Sequence, residues 1–345
     1  MTFIMLQIKH DCHHALAEQG EANMRAVHLT AYGNPIDGME FVEIPEPPEP
    51  GANQVLVGVE FSPINPNDLS LARGTYAVRP ALPTVIGNEG VGRILRVGPG
   101  VKTVKTGDRV VVPLSSFAWR ERMLIPAEGL FALPPQADPQ QLAMLGINPP
   151  TAALLLSEFV SLKSNDWVVQ NAANSGVGRW VIAFAKVRGL RTVNIVRRTE
   201  LVSELKTLGA DAVLVDSPQL GRQIKEVVGQ ADVRLALDGV SGLSTGALAA
   251  ALTMHGTVVA YSAMSGAPIA ASPLDIIFKA LAVRGFFMGH AEYADKIPAA
   301  IKQAARMIET GQVRIPVAAS YPLKAIKDAV AHAARGGKVL LDVAA

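Results

Sequence analysis

A chain of 345 residues, 49% hydrophobic and 18% charged, exceeds one ordinary compact core and is expected to fold as two globular domains. Its formal net charge of +2, with no block of Lys or Arg, argues against broad attraction to nucleic acid. No apolar run reaches the ~20 residues of a membrane helix, and the lone Cys12 excludes an internal disulfide, so a reducing cytoplasmic setting is expected.

Residues 1–23 read as a disordered extension or as the result of an upstream start codon: the apolar stretch 2–8 has neither the basic leader nor the cleavage site of a secretory signal. Within it His10, Cys12, His13 and His14 stand too close together for an ordered structural zinc site. Residues 24–146 are rich in Pro, Gly and Val. Alternating runs at 55–59 and 109–112, bounded by turn signals such as Gly98-Pro99-Gly100 and Thr106-Gly107-Asp108, predict a strand-dominated domain.

The pattern changes at residue 147. Strands are predicted at 167–170, 192–196, 212–215, 233–237, 257–261 and 282–287. Helices are predicted at 151–159, 178–187, 200–208, 221–228, 243–252 and 275–280. Six strands alternating with helices, several of them continuously apolar, predict an α/β fold with a Rossmann-type doubly wound parallel sheet over 147–289. The remainder, 290–345, offers a helix at 297–309 and a strand at 338–343, and is expected to return to the first domain.

The segment after the first predicted Rossmann strand reads Asn171-Ala172-Ala173-Asn174-Ser175-Gly176-Val177-Gly178. Ala173, Ser175 and Gly178 take the three glycine positions of the dinucleotide fingerprint, so the motif is carried by its strand–turn–helix context rather than by its letters. In that context Asn174, Ser175, Gly176 and Val177 present backbone N–H groups to a pyrophosphate at a helix N-terminus. A tight turn with no nucleotide is the other reading. The next strand ends Val196-Arg197-Arg198-Thr199. An acidic residue there would hold a free ribose 2′-hydroxyl. Two arginines instead suit a 2′-phosphate, and hence NADPH, unless they are merely a solvated strand end.

These residues resemble the medium-chain dehydrogenase/reductases, and among them the zinc-free 2-enoyl thioester reductases of mitochondrial type and the quinone oxidoreductases. The likeness runs from Met24 to the C-terminus. It is carried by Ile64-Asn65-Pro66-Asn67-Asp68, Arg73-Gly74-Thr75-Tyr76, Gly87-Asn88-Glu89-Gly90, Gly146-Ile147-Asn148-Pro149-Pro150-Thr151, the 170–178 segment and Arg284-Gly285-Phe286-Phe287. The resemblance implies a strand-rich GroES-like catalytic domain formed by 24–146 and 290–345. It also implies a proton-donating Tyr76, with Asn148, Tyr261, Met264, Phe286, Phe287 and Lys338 around the nicotinamide and its ribose. Zinc-bearing relatives carry a Cys and a Gly-His-Glu element; this chain has Asn88 at the His position and no Cys after residue 12, so no metal site is expected. Phe287 stands where such reductases usually have Trp, and Trp119 falls in a loop near the cleft or caps the surface.

Three functions are compatible with these features. The first is NADPH-dependent reduction of the carbon–carbon double bond of 2-enoyl thioesters, carried on CoA or acyl carrier protein. The second is reduction of quinones or α,β-unsaturated ketones. The third is NADPH binding in a structural or regulatory role. Family habit implies a homodimer joined through the last Rossmann strands, with neither nucleic acid nor membrane as partner.

Overall fold

The computed structural model describes residues 23–345, and Asn23 already belongs to the first strand, Asn23–Leu29. The rest of the expected extension, with His10, Cys12, His13 and His14, lies outside the described residues.

The parallel sheet contains Trp167–Gln170, Arg191–Val196, Ala212–Val215, Val233–Asp238, Thr257–Ala260 and Ala282–Gly285. Numbered one to six in chain order, they lie side by side as 3-2-1-4-5-6, the doubly wound order. All four residues of Trp167–Gln170 are buried, because helices cover both faces of a parallel sheet. Trp180 and Phe184 of helix Gly176–Val187 stack at 5.3 Å on one side, within a core shared with Leu154 and Leu155 of helix Asn148–Ser157. Strand order reverses at Trp167–Gln170, which has Arg191–Val196 on one flank and Val233–Asp238 on the other. A crevice for a ligand therefore opens at the carboxyl end of this strand.

The first domain is antiparallel except where Ala319–Pro322 pairs in parallel with Val339–Asp342. Its central strand, Gln54–Ile64, pairs with Gly90–Val97, Arg122–Pro126 and the C-terminal Val339–Asp342. The chain end thus completes the sheet begun near the N-terminus. Strand Ala319–Pro322 and helix Ile326–Arg335 have no counterpart in the sequence reading. That helix buries Ile326, Ala329 and Val330 at i, i+3 and i+4, and its alanine-rich stripe is a poor beacon by hydrophobicity alone.

Three local expectations change. Helix Asn148–Ser157 starts three residues before the predicted 151, because Pro149 and Pro150 sit in its first turn, where no backbone N–H is required. Strand Ala282–Gly285 stops two residues before the predicted 287, so Phe286 and Phe287 leave the sheet. Trp119 neither lines a cleft nor caps a surface. It is fully buried beneath Gly87, where an added Cβ would lie 2.2 Å from the indole. Gly87 has φ +105, so the absence of a side chain there serves both the turn and the indole beneath it.

Candidate active site

The crevice is built from the carboxyl ends of successive strands. After Trp167–Gln170 the chain turns through Ala172, at φ +48, into Ser175, whose hydroxyl caps helix Gly176–Val187 by accepting from Gly178 N at 3.1 Å. A Cβ on Gly178 would sit 2.6 Å from the carbonyl oxygen of Ala173, so this turn demands glycine there. Arg179 braces the turn from behind: Nε donates to Asn174 O at 3.1 Å and Nη1 pairs with Glu204 at 2.8 Å. Asn174, Ser175, Gly176 and Val177 are left half-buried, with the first N–H groups of the helix lacking intrahelical acceptors.

Neighbouring loops are tied to this turn. Asn171 Oδ1 accepts from Gly239 N at 2.7 Å, and its Nδ2 donates to Asp238 Oδ1 at 2.7 Å. Met264 N donates to Gly239 O at 3.3 Å, which brings the 261–264 segment over the same edge. Tyr261 projects under Gly239. Its hydroxyl is buried, and burial drives its pKa upward, with Ser175 pulling the other way. Asn148 closes the other side: a Cβ on Gly176 would meet its side-chain amide at 2.8 Å. Arg197 and Arg198 stand exposed beyond Val196, and among the described residues Arg198 has only Glu200, at 3.5 Å, for an ionic neighbour. The cavity of about 700 Å³ lined by Asp216, Arg222, Lys225 and Ser244 lies next to them, since Asp216 N donates to Val196 O at 2.8 Å.

On the catalytic-domain side a buried polar network forms. Helix Pro66–Arg73 begins after Asn65, and Asp68, three residues on, reaches back to accept from Asn65 N at 2.8 Å. The other oxygen of Asp68 accepts from Asn88 N at 3.0 Å and from Asn88 Nδ2 at 2.8 Å. Glu89 accepts from Asn65 Nδ2 at 2.7 Å and from Ile147 N at 2.9 Å. Lys338 Nζ donates to Asn65 Oδ1 at 2.6 Å. Burial raises the Asp68 carboxyl to about 6 and the Glu89 carboxyl to about 7, against opposing hydrogen bonds and the Lys338 charge. The same burial lowers Lys338. Glu89 is the joint of the network: through Ile147 it fixes the start of the helix carrying Asn148, and so the far wall of the crevice.

Tyr76 lies three residues past the end of Pro66–Arg73. Gly74 at φ +73 closes the helix, its N–H donating to Leu71 O at 2.9 Å, while Thr75 N donates to Ser70 O at 2.9 Å. This double closure aims the following residue. The Tyr76 ring packs on the catalytic-domain core, and partial burial raises its phenol pKa, with Asn67 pulling the other way and the Asp68 charge adding to the rise.

Two family descriptions match the chain: an alcohol dehydrogenase GroES-like domain over residues 51–134 and a zinc-binding dehydrogenase over 176–310. A mitochondrial enoyl-[acyl-carrier-protein] reductase of Caenorhabditis elegans is 40% identical over 277 residues, covering 79% of each chain. The chain is a medium-chain dehydrogenase/reductase. Among solved structures of this family, a putative NADPH:quinone reductase from Bacillus thuringiensis superimposes with a TM-score of 0.84 at 26% identity, covering 93% of this chain and 99% of the other. The Etr1p complex with NADP and crotonyl-CoA, a Candida tropicalis 2-enoyl thioester reductase, gives 0.83 at 25% identity over 93% and 100%.

Against the zinc-binding pattern of the family, this member places Asn88 with its amide donating to Asp68. Among the described residues no three His, Cys, Asp or Glu side chains converge as a metal site would require. The sequence-predicted residues divide by domain. Asn148, Asn174, Ser175, Gly176, Val177, Tyr261 and Met264 share the crevice edge, with Met264 61% exposed. Phe286 is buried against Phe159 and Tyr293, whereas Phe287 is half-exposed and packs edge-on against His290 at 5.4 Å. Lys338 is half-buried. It belongs to the buried network with Asn65, Asp68 and Glu89, residues of the family-like motifs to which the sequence alone gives no role. Their signal was the Asn-x-x-Asp spacing at a helix start and a carboxylate set between glycines in Gly87-Asn88-Glu89-Gly90. Arg179 was missed because an arginine on an apolar helix looks incidental until its partners are known.

Proposed function

We propose that this protein reduces the C2=C3 double bond of 2-enoyl thioesters with NADPH, without zinc. The observation that carries the reading is the half-buried phenol of Tyr76, held by a closed helix end beside a network in which Asn88 takes the family's histidine position. The crevice suits the cofactor. The buried hydroxyl of Tyr261 and the exposed guanidiniums of Arg197 and Arg198 are the polar groups that the crevice offers to a cofactor. Arg197 and Arg198 would hold the 2′-phosphate, the 174–177 turn the pyrophosphate, and Asn148, Tyr261, Met264, Phe286, Phe287 and Lys338 the nicotinamide end. When bound, NADPH supplies a hydride for the β-carbon of the substrate.

Negative charge then gathers on the thioester oxygen. Tyr76 donates a hydrogen bond to that oxygen and passes its proton to the α-carbon. A phenol is protonated at neutral pH, as a donor must be, and burial moves Tyr76 further in that direction. Acyl carrier protein or CoA carries the thioester, and two subunits associate through the sheet edge Ala282–Gly285. All four residues of that edge are exposed, next to exposed Leu274, Ile277 and Phe278.

The deciding measurement is NADPH oxidation with crotonyl-CoA, hexenoyl-CoA, 1,4-benzoquinone and a simple enone. Turnover of the thioesters is expected. Turnover of the quinone alone would replace this reading with the quinone oxidoreductase that the Bacillus thuringiensis likeness favours. Binding without turnover of any of them would make the protein a structural or regulatory NADPH binder.

A further inference from the structure

Arg73 and Arg79 bracket Tyr76 at equal spacing, and both are exposed. Among the described residues neither guanidinium has a carboxylate partner. The acidic residue of the adjoining 33–38 segment, Asp37, is taken by Asn34 Nδ2 at 2.7 Å. Arg79 is not a loose surface arginine. Its guanidinium lies 4.7 Å over the Tyr32 ring, and the Tyr32 hydroxyl is itself anchored to the carbonyl of Pro80. Arg79 Nη2 comes within 2.9 Å of where a Cβ would stand on Gly74, so the loop folds back and brings the second cation beside the helix end that carries the first. Two unpaired positive charges, one of them pre-oriented, flank the residue proposed to touch the thioester.

Unpaired guanidiniums held in this way suit phosphate oxygens, which they can engage through two parallel N–H bonds. We infer that Arg73 and Arg79 recognise a phosphate of the carrier group to which the thioester is attached, so that the loop delivering Tyr76 also selects the carrier. This inference rests on the enoyl thioester reading above and deepens it. The phosphate has two possible sources. One is the 4′-phosphate that CoA shares with carrier proteins, and the other is the adenosine phosphates of CoA alone.

The test compares kcat/KM of the unmodified protein with that of the Arg73→Gln/Arg79→Gln protein on three crotonyl thioesters: of CoA, of 4′-phosphopantetheine and of phosphate-free pantetheine. Glutamine keeps much of the stem packing while removing charge. The preference for crotonyl-CoA over crotonyl-pantetheine is expected to drop about tenfold, through KM, as the loss of screened charge-assisted contacts implies. The Arg73→Lys/Arg79→Lys protein should keep most of that preference, which guards against a merely structural effect. Loss on crotonyl-CoA alone assigns the contact to the adenosine phosphates, and loss on both phosphorylated substrates assigns it to the 4′-phosphate; either supports the inference. An equal loss on crotonyl-pantetheine, or an unchanged preference, overturns it while leaving the reductase reading intact. Failure of the unmodified protein to reduce any crotonyl thioester removes the reductase reading, and this inference with it.

Discussion

Replacing both Arg197 and Arg198 with Ala should convert a cofactor preference into indifference. Both side chains stand in solvent at the carboxyl end of Arg191–Val196, and among the described residues Glu200 is the one carboxylate paired with either. The pair Arg198–Glu200 is 3.5 Å long, with its side chains 64% and 69% exposed. Such a pair is worth no more than ~0.5 kcal/mol, so recruiting Arg198 to a phosphate costs little. A charge-assisted contact to a phosphate oxygen contributes ~1.5–3 kcal/mol, and solvent screening holds exposed contacts to the lower end. Losing both guanidiniums should therefore cost ~2–3 kcal/mol, or roughly 30- to 150-fold in affinity for NADPH. NADH has no 2′-phosphate, so its KM should move by no more than about twofold, within ordinary surface effects. The assay is initial rates at saturating crotonyl-CoA across a range of each cofactor, at low and at high salt. Salt should erode the NADPH preference of the unmodified protein and leave the double variant unaffected. A parallel rise of both KM values, or an unmodified protein that prefers NADH, would refute the assignment.

Further outcomes follow from the same geometry. Tyr76→Phe should cut kcat on crotonyl-CoA about 10²–10³-fold with the KM for NADPH nearly unchanged, and should damage quinone turnover much less, because a hydroquinone anion stabilises itself; equal kcat on the thioester would take Tyr76 out of the mechanism. Glu89, raised to about 7, contributes stability that is full below its ordinary carboxylate range and is lost as pH climbs through 7. Urea denaturation should accordingly show the protein less stable at about pH 8 than at about pH 5 by on the order of 2 kcal/mol. Glu89→Gln should flatten that slope, and an unaltered slope would show that another group carries it. Phe278→Asp combined with Ile277→Asp should yield a monomer by light scattering if the exposed face beside Ala282–Gly285 joins two subunits; a dimer that survives both changes would place the contact elsewhere. Metal analysis should find no stoichiometric zinc, and chelators should leave thioester reduction intact; activity lost together with one zinc per chain would overturn the zinc-free reading.

Much of the fold was legible because it depends on periodicities that the chain displays locally. Apolar runs of four to six residues separated by amphipathic helices specify strands buried on both faces, so every Rossmann strand was located to within two residues at either end. Errors gathered where a local cue was faint or was overridden. Pro149 and Pro150 advanced a helix start, an alanine-rich stripe concealed Ile326–Arg335, and Phe286 and Phe287 left a strand that their hydrophobicity extended. Trp119 was ambiguous because nothing near it in sequence reveals that Gly87 leaves room for its indole.

Residue types that declare a chemistry by themselves, such as Tyr76 in its glycine-bounded loop or Arg197 and Arg198 where an acid would otherwise stand, were visible in the sequence alone. The network that organises the site was not. Lys338 and Asn65 lie 273 residues apart and Glu89 and Ile147 lie 58 apart, yet their contacts are 2.6 and 2.9 Å. A hydrogen bond between side chains distant in sequence leaves no periodicity for the sequence to show. Burial depends on chain segments far apart in sequence packing around these groups, and that burial raises Asp68 and Glu89 and lowers Lys338. The sequence determined which elements form and which side chains carry chemistry; only the tertiary structure decided which of them meet out of water, where low dielectric gives each contact its strength.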